Sequence, residues 1–265
     1  MISSPTDLKS FQSLIEIVAA LRGPEGCPWD KEQTHQSLTQ FAIEEVYEFI
    51  ETVDRKDDTA MKEELGDVLF QVALHSQLAE ERSAFTISDV LNELNSKMIR
   101  RHPHVFGDEK ASSSQEVLEN WEVIKKKEKP QKKKTENFDI PPALPALQRA
   151  FKIGKKTQKT GFDWTSPSDV KAKIFEELNE VEEAISFNQN DKIAEELGDL
   201  LFAVAQYVRH LNHEPESCLR LANRKFERRY FAMLESCRLR GIDFESLESS
   251  EKENLWRQVK KDLSK

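Results

Sequence analysis

The sequence predicts an all-α protein made of two tandem helical-bundle domains, each containing an antiparallel pair of acidic helices. Only 8 of the 265 residues are glycine, and runs rich in Leu, Glu, Lys and Ala dominate, a composition that favours helix over strand. An acidic pattern occurs twice, 132 residues apart. Three further landmarks recur with it, in the same order, at offsets of 128 to 135, so a duplicated domain is the simplest explanation.

In the first half, apolar spacing and polar turns predict each helix. Four apolar residues at helical spacing mark an opening helix: Leu14, Ile15, Val18 and Leu21. Residues 36–53 and 59–80 carry the two acidic motifs, and a polar turn from Asp54 to Asp58 joins them. A further helix covers 87–101. The core candidates on the second acidic helix are Leu65, Val68, Leu69, Val72 and Leu78.

The second half shows the same succession of helices. Its acidic helices are joined by the turn Asn188-Gln189-Asn190, and its last helix carries Trp256. The predicted helices are 143–159, 167–187, 191–212, 215–239 and 248–262. Four or five helices in each half fit a small bundle.

A change of composition places the domain boundary. A lysine-rich run covers 125–134 and is followed by Pro141, Pro142 and Pro145. We therefore predict a first domain at 1–125, a linker at 126–142 and a second domain at 143–265. A solvated tether is the favoured interpretation of the lysine run, because it contains no aromatic side chain on which bases would stack.

The repeated acidic pattern combines two motifs. The copies are Glu44-Glu45-x-x-Glu48 with Glu64-x-x-Asp67, and Glu176-Glu177-x-x-Glu180 with Glu196-x-x-Asp199. In a hairpin of two antiparallel helices, opposed residues have a constant index sum, so Glu45 faces Asp67 and Glu48 faces Glu64. The second copy pairs in the same way. Residues three apart share a helix face, so four carboxylates converge in each half without an interleaved basic residue.

Such a cluster predicts a divalent metal site. Like charges at helical spacing cost about 0.2–0.5 kcal/mol per pair even in water, and a hard cation would remove that repulsion. Ligands that are all oxygen suit Mg²⁺, with Mn²⁺ as a possible substitute, rather than zinc. Gly66 and Gly198 lie directly before the aspartates in mid-helix, where close approach of a neighbouring helix would explain them.

Basic clusters follow each acidic hairpin. They consist of Lys97, Arg100 and Arg101 in the first half and of Lys225, Arg228 and Arg229 in the second. Spacings of three and four place these side chains on one helix face. A basic surface that pairs with glutamates would explain either cluster alone, but their recurrence favours a triphosphate site, in which a metal bridges phosphate oxygens and guanidinium groups clamp them.

Other motifs are less informative. Trp121 and Trp256 either stack on a base or pack in the bundle, whereas Trp29 and Trp164 suit core or loop anchors. The segment 102–104, His-Pro-His, has no counterpart in the second half. No glycine-rich phosphate loop is present, and the only Glu-x-x-His motif, 32–35, is not repeated, which disfavours P-loop and di-iron chemistry.

Composition excludes several classes of protein. A formal net charge of −9 disfavours general nucleic-acid binding. Cys27, Cys218 and Cys237 are scattered, so neither a disulfide framework nor a zinc site is expected. The N-terminus lacks the pattern of a signal peptide, and no apolar run approaches the length of a membrane span. We therefore expect a cytoplasmic protein with no membrane contact.

These motifs resemble those of the MazG family of nucleoside triphosphate pyrophosphohydrolases. The resemblance covers nearly the whole chain and rests on CPWD at 27–30, both acidic motifs, RRHPHVFG at 100–107, GFDW at 161–164 and KFERR at 225–229. It implies two MazG-like all-α domains, a homodimer, dependence on Mg²⁺, and hydrolysis of NTPs or dNTPs to monophosphate and pyrophosphate. The second domain is expected to be the main catalytic one.

The resemblance also implies site residues. The metal ligands would be Glu177, Glu180, Glu196 and Asp199, with a second possible site at Glu45, Glu48, Glu64 and Asp67. The nucleotide contacts would be Lys173, Ile174, Phe175, Glu176, Glu177, Lys192, Ile193, Ala194, Glu195, Glu196, Asp199, Lys225, Phe226, Glu227, Arg228, Arg229 and Trp256.

A hydrolytic mechanism follows from this chemistry. The metal would polarise the α-phosphorus, Glu176 or Glu195 would orient the attacking water, and Lys and Arg would neutralise the departing pyrophosphate. The catalytic set is therefore Glu176, Glu177, Glu180, Glu195, Glu196 and Asp199. Two alternatives remain: a narrower hydrolase resembling dUTPase or dCTPase, and a metal-stabilised dimerisation or regulatory module that binds nucleotide without cleaving it.

Overall fold

A computed structural model describes residues 3–128 and 138–263, which form helices joined by short loops and contain no strand. Contacts divide the chain into two compact units, the first unit Met1–Lys132 and the second unit Lys133–Lys265. The described helices of the first unit are α1 (Phe11–Arg22), α2 (Pro28–Glu32), α3 (Thr39–Arg55), α4 (Asp58–Glu81), α5 (Ile87–Arg101), α6 (Pro103–Phe106) and α7 (Ser114–Glu128). Those of the second are α8 (Ala146–Gln158), α9 (Pro167–Ser186), α10 (Asn190–His210), α11 (Pro215–Arg240) and α12 (Ser249–Asp262).

This all-α architecture confirms the predicted fold class, with differences at the helix ends. The sequence pattern predicts no bounds for three helices, the short α2 and α6 and the longer α7. Helix α8 begins at Ala146 rather than 143, because Pro145 has a non-helical ψ of 139° and is the N-cap. Most of the predicted linker, 126–142, lies outside the described residues. At its start α7 continues to Glu128, and at its end Ile140 is buried.

Each acidic hairpin is closed by one residue in the left-handed conformation. In the first unit Lys56 has φ 56°, and the Asp57 side chain accepts a hydrogen bond from the Ala60 backbone N–H at 3.1 Å to start α4. In the second unit Asn188 has φ 53° and α10 begins two residues later. The predicted turn from Asp54 to Asp58 is therefore shorter than expected, because α3 continues to Arg55.

The core of the first unit lies between α1 and α4. It contains Val18, Leu38, Ala73, Leu74 and Leu78, with Leu14 and Ile15 packed against it, as the opening apolar stripe predicts. Three other core candidates on α4 are wrong, because they lie on a second apolar stripe outside this buried cluster. The exposed fractions of Leu65, Leu69 and Val72 are 48%, 41% and 42%.

The expected helix contact at Gly66 and Gly198 is also wrong within each unit. A β-carbon at either position would meet no described atom within 4 Å. Close approach occurs instead at Gly154 on α8, where a β-carbon would lie 1.9 Å from the Gln206 side-chain oxygen. Gln206 is fully buried on α10 and donates a hydrogen bond to the Ala150 carbonyl at 2.8 Å.

A buried arginine anchors the segment that precedes each acidic hairpin. In the first unit Arg22 donates to the Asp30 carbonyl and pairs with Glu81 at 2.7 Å. In the second unit Arg209 pairs with Asp163 of the GFDW segment. Burial raises the pKa of Asp163, but hydrogen bonds from Arg209 and His210 outweigh burial and hold that pKa below its ordinary value.

None of the described helices is both long and apolar enough to cross a membrane.

Candidate active site

The hairpin of α9 and α10 brings three carboxylates of the second unit to one point. Glu177, Glu180 and Glu196 each offer an oxygen, and these oxygens all lie within 4.8 Å of one another. Glu177 and Glu196 are only 5% and 8% exposed. Burying ionised carboxylates together costs free energy unless a cation compensates them. The arrangement therefore has the donor chemistry of a hard divalent cation site, and Mg²⁺ or Mn²⁺ fits it.

The electrostatics of this cluster show the crowding of negative charge. The pKa of Glu180 is raised, first by burial, then by its hydrogen bond with Glu177 and by the charges of Glu196 and Glu177. Lys173 acts in the opposite direction on Glu180. A raised carboxyl pKa means that the folded protein holds its proton more tightly than the unfolded chain does.

Two lysines compensate part of that charge. Lys173 Nζ lies 2.7 Å from a Glu177 oxygen and 2.8 Å from a Glu176 oxygen, and these hydrogen bonds raise the pKa of Lys173. Lys192 Nζ lies 3.5 Å from a Glu196 oxygen. Both lysines lie one helical turn before the glutamate that they contact, so no basic residue is interleaved within the acidic motifs themselves.

The first unit has the same acidic group without the lysines. Glu45, Glu48 and Glu64 offer oxygens within 4.8 Å of one another. The pKa of Glu45 is raised by burial and then by the charge of Asp67. The pKa of Glu64 is raised by burial and then by the charge of Glu48.

The sequence explains why no lysine compensates this first group. The positions that correspond to Lys173 and Lys192, 132 residues earlier, are Phe41 and Ala60. Lys62, two residues before Glu64, is exposed on α4. The first group of carboxylates is also more exposed to water than the second, since none of Glu45, Glu48 and Glu64 is buried.

The remaining residues predicted on the hairpin surround the three carboxylates. Asp199 is exposed on α10, one turn beyond Glu196, and lies outside the group of three, so its role as a ligand stays a prediction. Glu176 directly precedes Glu177, and Glu195 directly precedes Glu196. Both Glu176 and Glu195 are exposed to solvent. The other predicted contacts on these helices are two half-buried isoleucines and two exposed residues: Ile174, Ile193, Phe175 and Ala194.

A basic and aromatic surface forms between α11 and α12. The guanidinium of Arg229 lies over the Trp256 ring at 5.7 Å, and the Phe226 and Trp256 ring centroids are 5.2 Å apart. The buried Nε of Arg229 has no hydrogen-bond partner. Lys225, Glu227 and Arg228 are exposed on the same helix. Cationic and aromatic groups side by side suit an anion attached to a planar ring.

The corresponding surface of the first unit differs. Trp121 lies near Lys125, whose Nζ is 5.4 Å from the ring centroid, and near His102, at 6.3 Å between centroids. Arg100 and Arg101 both pair with Glu128 on α7, each at 2.6 Å. This pairing was not expected from the sequence, because 27 residues separate Arg101 from Glu128 and no local motif connects them.

The fold and the site define an all-α bundle with a repeated acidic hairpin. Its sequence belongs to the MazG family: the model of the MazG nucleotide pyrophosphohydrolase domain matches 33–106 and 165–232, which contain both hairpins. The chain is 47% identical to the nucleoside triphosphate pyrophosphohydrolase/pyrophosphatase MazG of Thermotoga maritima, over 94% of this chain and 95% of that protein.

Other relatives also match nearly the whole of this chain. The nucleoside triphosphate pyrophosphohydrolase of Escherichia coli K12 is 42% identical over 96% of this chain and 98% of its own length. The uncharacterised protein YabN of Bacillus subtilis is 43% identical over 94% of this chain, which covers 51% of that longer protein. The similarity to the Thermotoga maritima and Escherichia coli proteins therefore covers both units.

The repulsion among the carboxylates makes a prediction about stability without metal. Glu180→Gln removes one charge whose pKa is raised in the folded state, so it should raise the melting temperature of the metal-free protein at pH 7. The sign follows from linkage: a raised carboxyl pKa stabilises the fold only as the pH falls and the group becomes protonated. The same variant should lose part of the increase in melting temperature that Mg²⁺ gives the wild type.

Glu182→Gln on the same helix is the matched control, because it removes the same charge from an exposed site outside the cluster. Differential scanning fluorimetry with and without Mg²⁺ measures both effects. A destabilised metal-free Glu180→Gln protein that keeps the full Mg²⁺ response would contradict the interpretation.

Proposed function

We propose that the protein hydrolyses nucleoside triphosphates, NTPs or dNTPs, to nucleoside monophosphate and pyrophosphate in a Mg²⁺-dependent reaction. The observation that carries this proposal is the convergence of Glu177, Glu180 and Glu196 beside Lys173 and Lys192. Membership of the MazG family and the names of the relatives support the same reaction. A role in nucleotide-pool house-cleaning or regulation suits this activity.

Glu177, Glu180, Glu196 and Asp199 would hold Mg²⁺, for which Mn²⁺ is a possible substitute. Bound there, the ion would bind phosphate oxygens and withdraw charge from the α-phosphorus. The buried side chains of Glu177 and Glu196 would hold the ion in one place, because side chains packed on two helices have little freedom to move.

Side chains around this group provide the remaining functions. Lys173 and Lys192 already lie beside the acidic cluster, so their ammonium groups would neutralise phosphate oxygens as the triphosphate binds. Glu176 and Glu195 are exposed beside the cluster, where either would orient a water molecule for in-line attack on the α-phosphorus.

The basic and aromatic surface of the second unit suits the rest of the nucleotide. Lys225, Arg228 and Arg229 would stabilise the charge of the departing pyrophosphate, and Phe226 and Trp256 offer rings on which a base would stack. Because the first unit lacks counterparts of Lys173 and Lys192, we propose the second unit as the main catalytic one.

Product analysis tests this function. Incubation with a mixed NTP and dNTP panel should yield monophosphate and pyrophosphate, only with Mg²⁺, when the products are separated by anion-exchange chromatography. Glu177→Gln should lower turnover at least about a hundredfold, since the metal contributes several kcal/mol to transition-state stabilisation. The matched variant Glu45→Gln in the first unit should leave most of the activity.

The other outcomes are equally informative. Diphosphate and phosphate as products would mean that a different bond is cleaved. Nucleotide binding without turnover would favour a regulatory module, and depletion of dUTP or dCTP alone would favour a narrower hydrolase. Unchanged turnover in the Glu177→Gln and Glu45→Gln double variant would refute the proposed metal site.

We also propose that the protein is a cytoplasmic homodimer. Each hairpin exposes an apolar stripe, and the apolar positions of the first stripe recur 132 residues later in the second. The family resemblance favours a second copy of the chain as the partner that covers this stripe. The stripe consists of Ile43, Val46, Val53, Leu65, Leu69 and Val72 in the first unit and of Phe175, Leu178, Ile185, Leu197, Leu201 and Val204 in the second. The thiols of Cys27, Cys218 and Cys237 suit a reducing compartment.

A charge on the stripe tests the homodimer. Leu201, 60% exposed, lies in the middle of the stripe, so Leu201→Glu should weaken self-association because an unpaired carboxylate would be buried at the interface. Leu239→Glu is the control, since Leu239 is 71% exposed near the end of α11 and outside the hairpin. Light scattering after size-exclusion chromatography measures the mass. A monomeric wild type, or a dimeric Leu201→Glu variant, would contradict the proposal.

A further inference from the structure

The two units differ most clearly at the pair of arginines that follows each acidic hairpin. Arg100 and Arg101 end α5, and Arg228 and Arg229 occupy the corresponding positions on α11, 128 residues later. In each unit this helix packs against the second acidic helix and against a helix that carries a tryptophan. The two pairs of arginines therefore occupy equivalent places in the two bundles.

In the first unit, one carboxylate occupies both arginines. Arg100 Nε donates to one Glu128 oxygen at 2.6 Å, and Arg101 donates to the other oxygen through Nε at 3.0 Å and Nη2 at 2.6 Å. The Glu128 side chain is only 16% exposed. Hydrogen bonds from Arg101 and then Arg100 lower the pKa of Glu128 to about 2, so it is ionised at neutral pH.

In the second unit the arginines have no such partner. Neither Arg228 nor Arg229 forms an ion pair within the part of the chain that the structure describes, and Arg229 lies over Trp256 with a buried Nε that has no hydrogen-bond partner. The residue that corresponds to Glu128, seven positions after the tryptophan, is Leu263. The neighbouring Asp262 accepts hydrogen bonds from Gln258 instead.

A carboxylate and a phosphate compete for the same donors. The carboxylate is planar and the phosphate is tetrahedral, but both present anionic oxygens that accept two parallel N–H hydrogen bonds from a guanidinium group. Arg100, Lys127 and Glu128 line an open cavity of about 570 Å³, so an anion in this cavity would reach Arg100 if the carboxylate left it. While Glu128 holds both arginines, a triphosphate must displace it.

We propose that Glu128 blocks the phosphate-binding arginines of the first unit and so determines that the nucleoside triphosphate is bound and cleaved by the second unit. This inference rests on the proposed function. In this proposal the acidic cluster of the first unit is intact and binds the metal, whereas the first unit binds the nucleotide weakly. Glu128 is a specificity-determining residue in this account, and it touches neither substrate nor metal.

The test isolates the first unit in the full-length chain. In a Glu177→Gln background, which disables the second acidic cluster, Glu128→Gln should raise the Mg²⁺-dependent affinity for α,β-methylene-ATP about tenfold or more, as expected for loss of competing charge-assisted hydrogen bonds. Isothermal titration calorimetry measures this affinity. Glu45→Gln added to the same variant should remove the gain, because it disables the cluster that holds the metal.

Glu119→Gln is the matched control. Glu119 lies on the same helix and, among the residues that the structure describes, accepts a side-chain hydrogen bond only from Gln115, so its substitution removes the same charge without touching the arginines. An equal gain in this control would mean that net charge, not position, controls binding, and it would overturn the inference.

Arg101→Ala, which removes one arginine, provides a second measurement that does not depend on the glutamine side chain. Added to Glu128→Gln, it should return the affinity to the level of the background.

The result also separates this inference from the proposed function. Failure of the wild-type chain to bind the analogue with Mg²⁺ would contradict the proposed function itself. Binding by the wild type, together with no gain in Glu128→Gln, would contradict only the role of Glu128.

Discussion

The structure depends on holding like charges together. Three carboxylates in each unit lie within 4.8 Å of one another, although each would be more stable apart and in water. Two helices of a tight hairpin enforce this proximity, because residues at i and i+3 on one helix face a residue on the other. Burial and then the charges of the neighbouring carboxylates raise the pKa values of Glu45, Glu64 and Glu180. A divalent cation bound to these carboxylates, as we propose, would turn this unfavourable arrangement into a binding site for phosphate.

The duplicated units have diverged around that shared constraint. The second unit places Lys173 and Lys192 beside its carboxylates and leaves Arg228 and Arg229 without a carboxylate partner among the described residues. The first has no lysine at the corresponding positions, and its arginines are held by Glu128. Both differences favour triphosphate binding in the second unit. The first unit retains its acidic group, which would still bind a metal ion under our proposal.

Features set by local periodicity could be predicted from the sequence, and features set by long-range contacts could not. Spacing along α3, α4, α9 and α10 predicted that the glutamates would converge. It assigned Leu65, Leu69 and Val72 to the core because a helix with two apolar stripes gives the same periodic signal whichever stripe is buried. The pairs Arg22–Glu81, Arg209–Asp163 and Arg101–Glu128 join distant segments, and nothing in the local pattern of either partner identifies the other.

The central claim is that these carboxylates bind a divalent cation, and Mn²⁺ binding followed by electron paramagnetic resonance tests it most directly. The free-ion signal should decrease with saturable binding, Mg²⁺ should compete, and a chain carrying both Glu45→Gln and Glu177→Gln should lose that binding. Undiminished Mn²⁺ binding in the double variant, or no saturable binding in the wild type, would contradict the account.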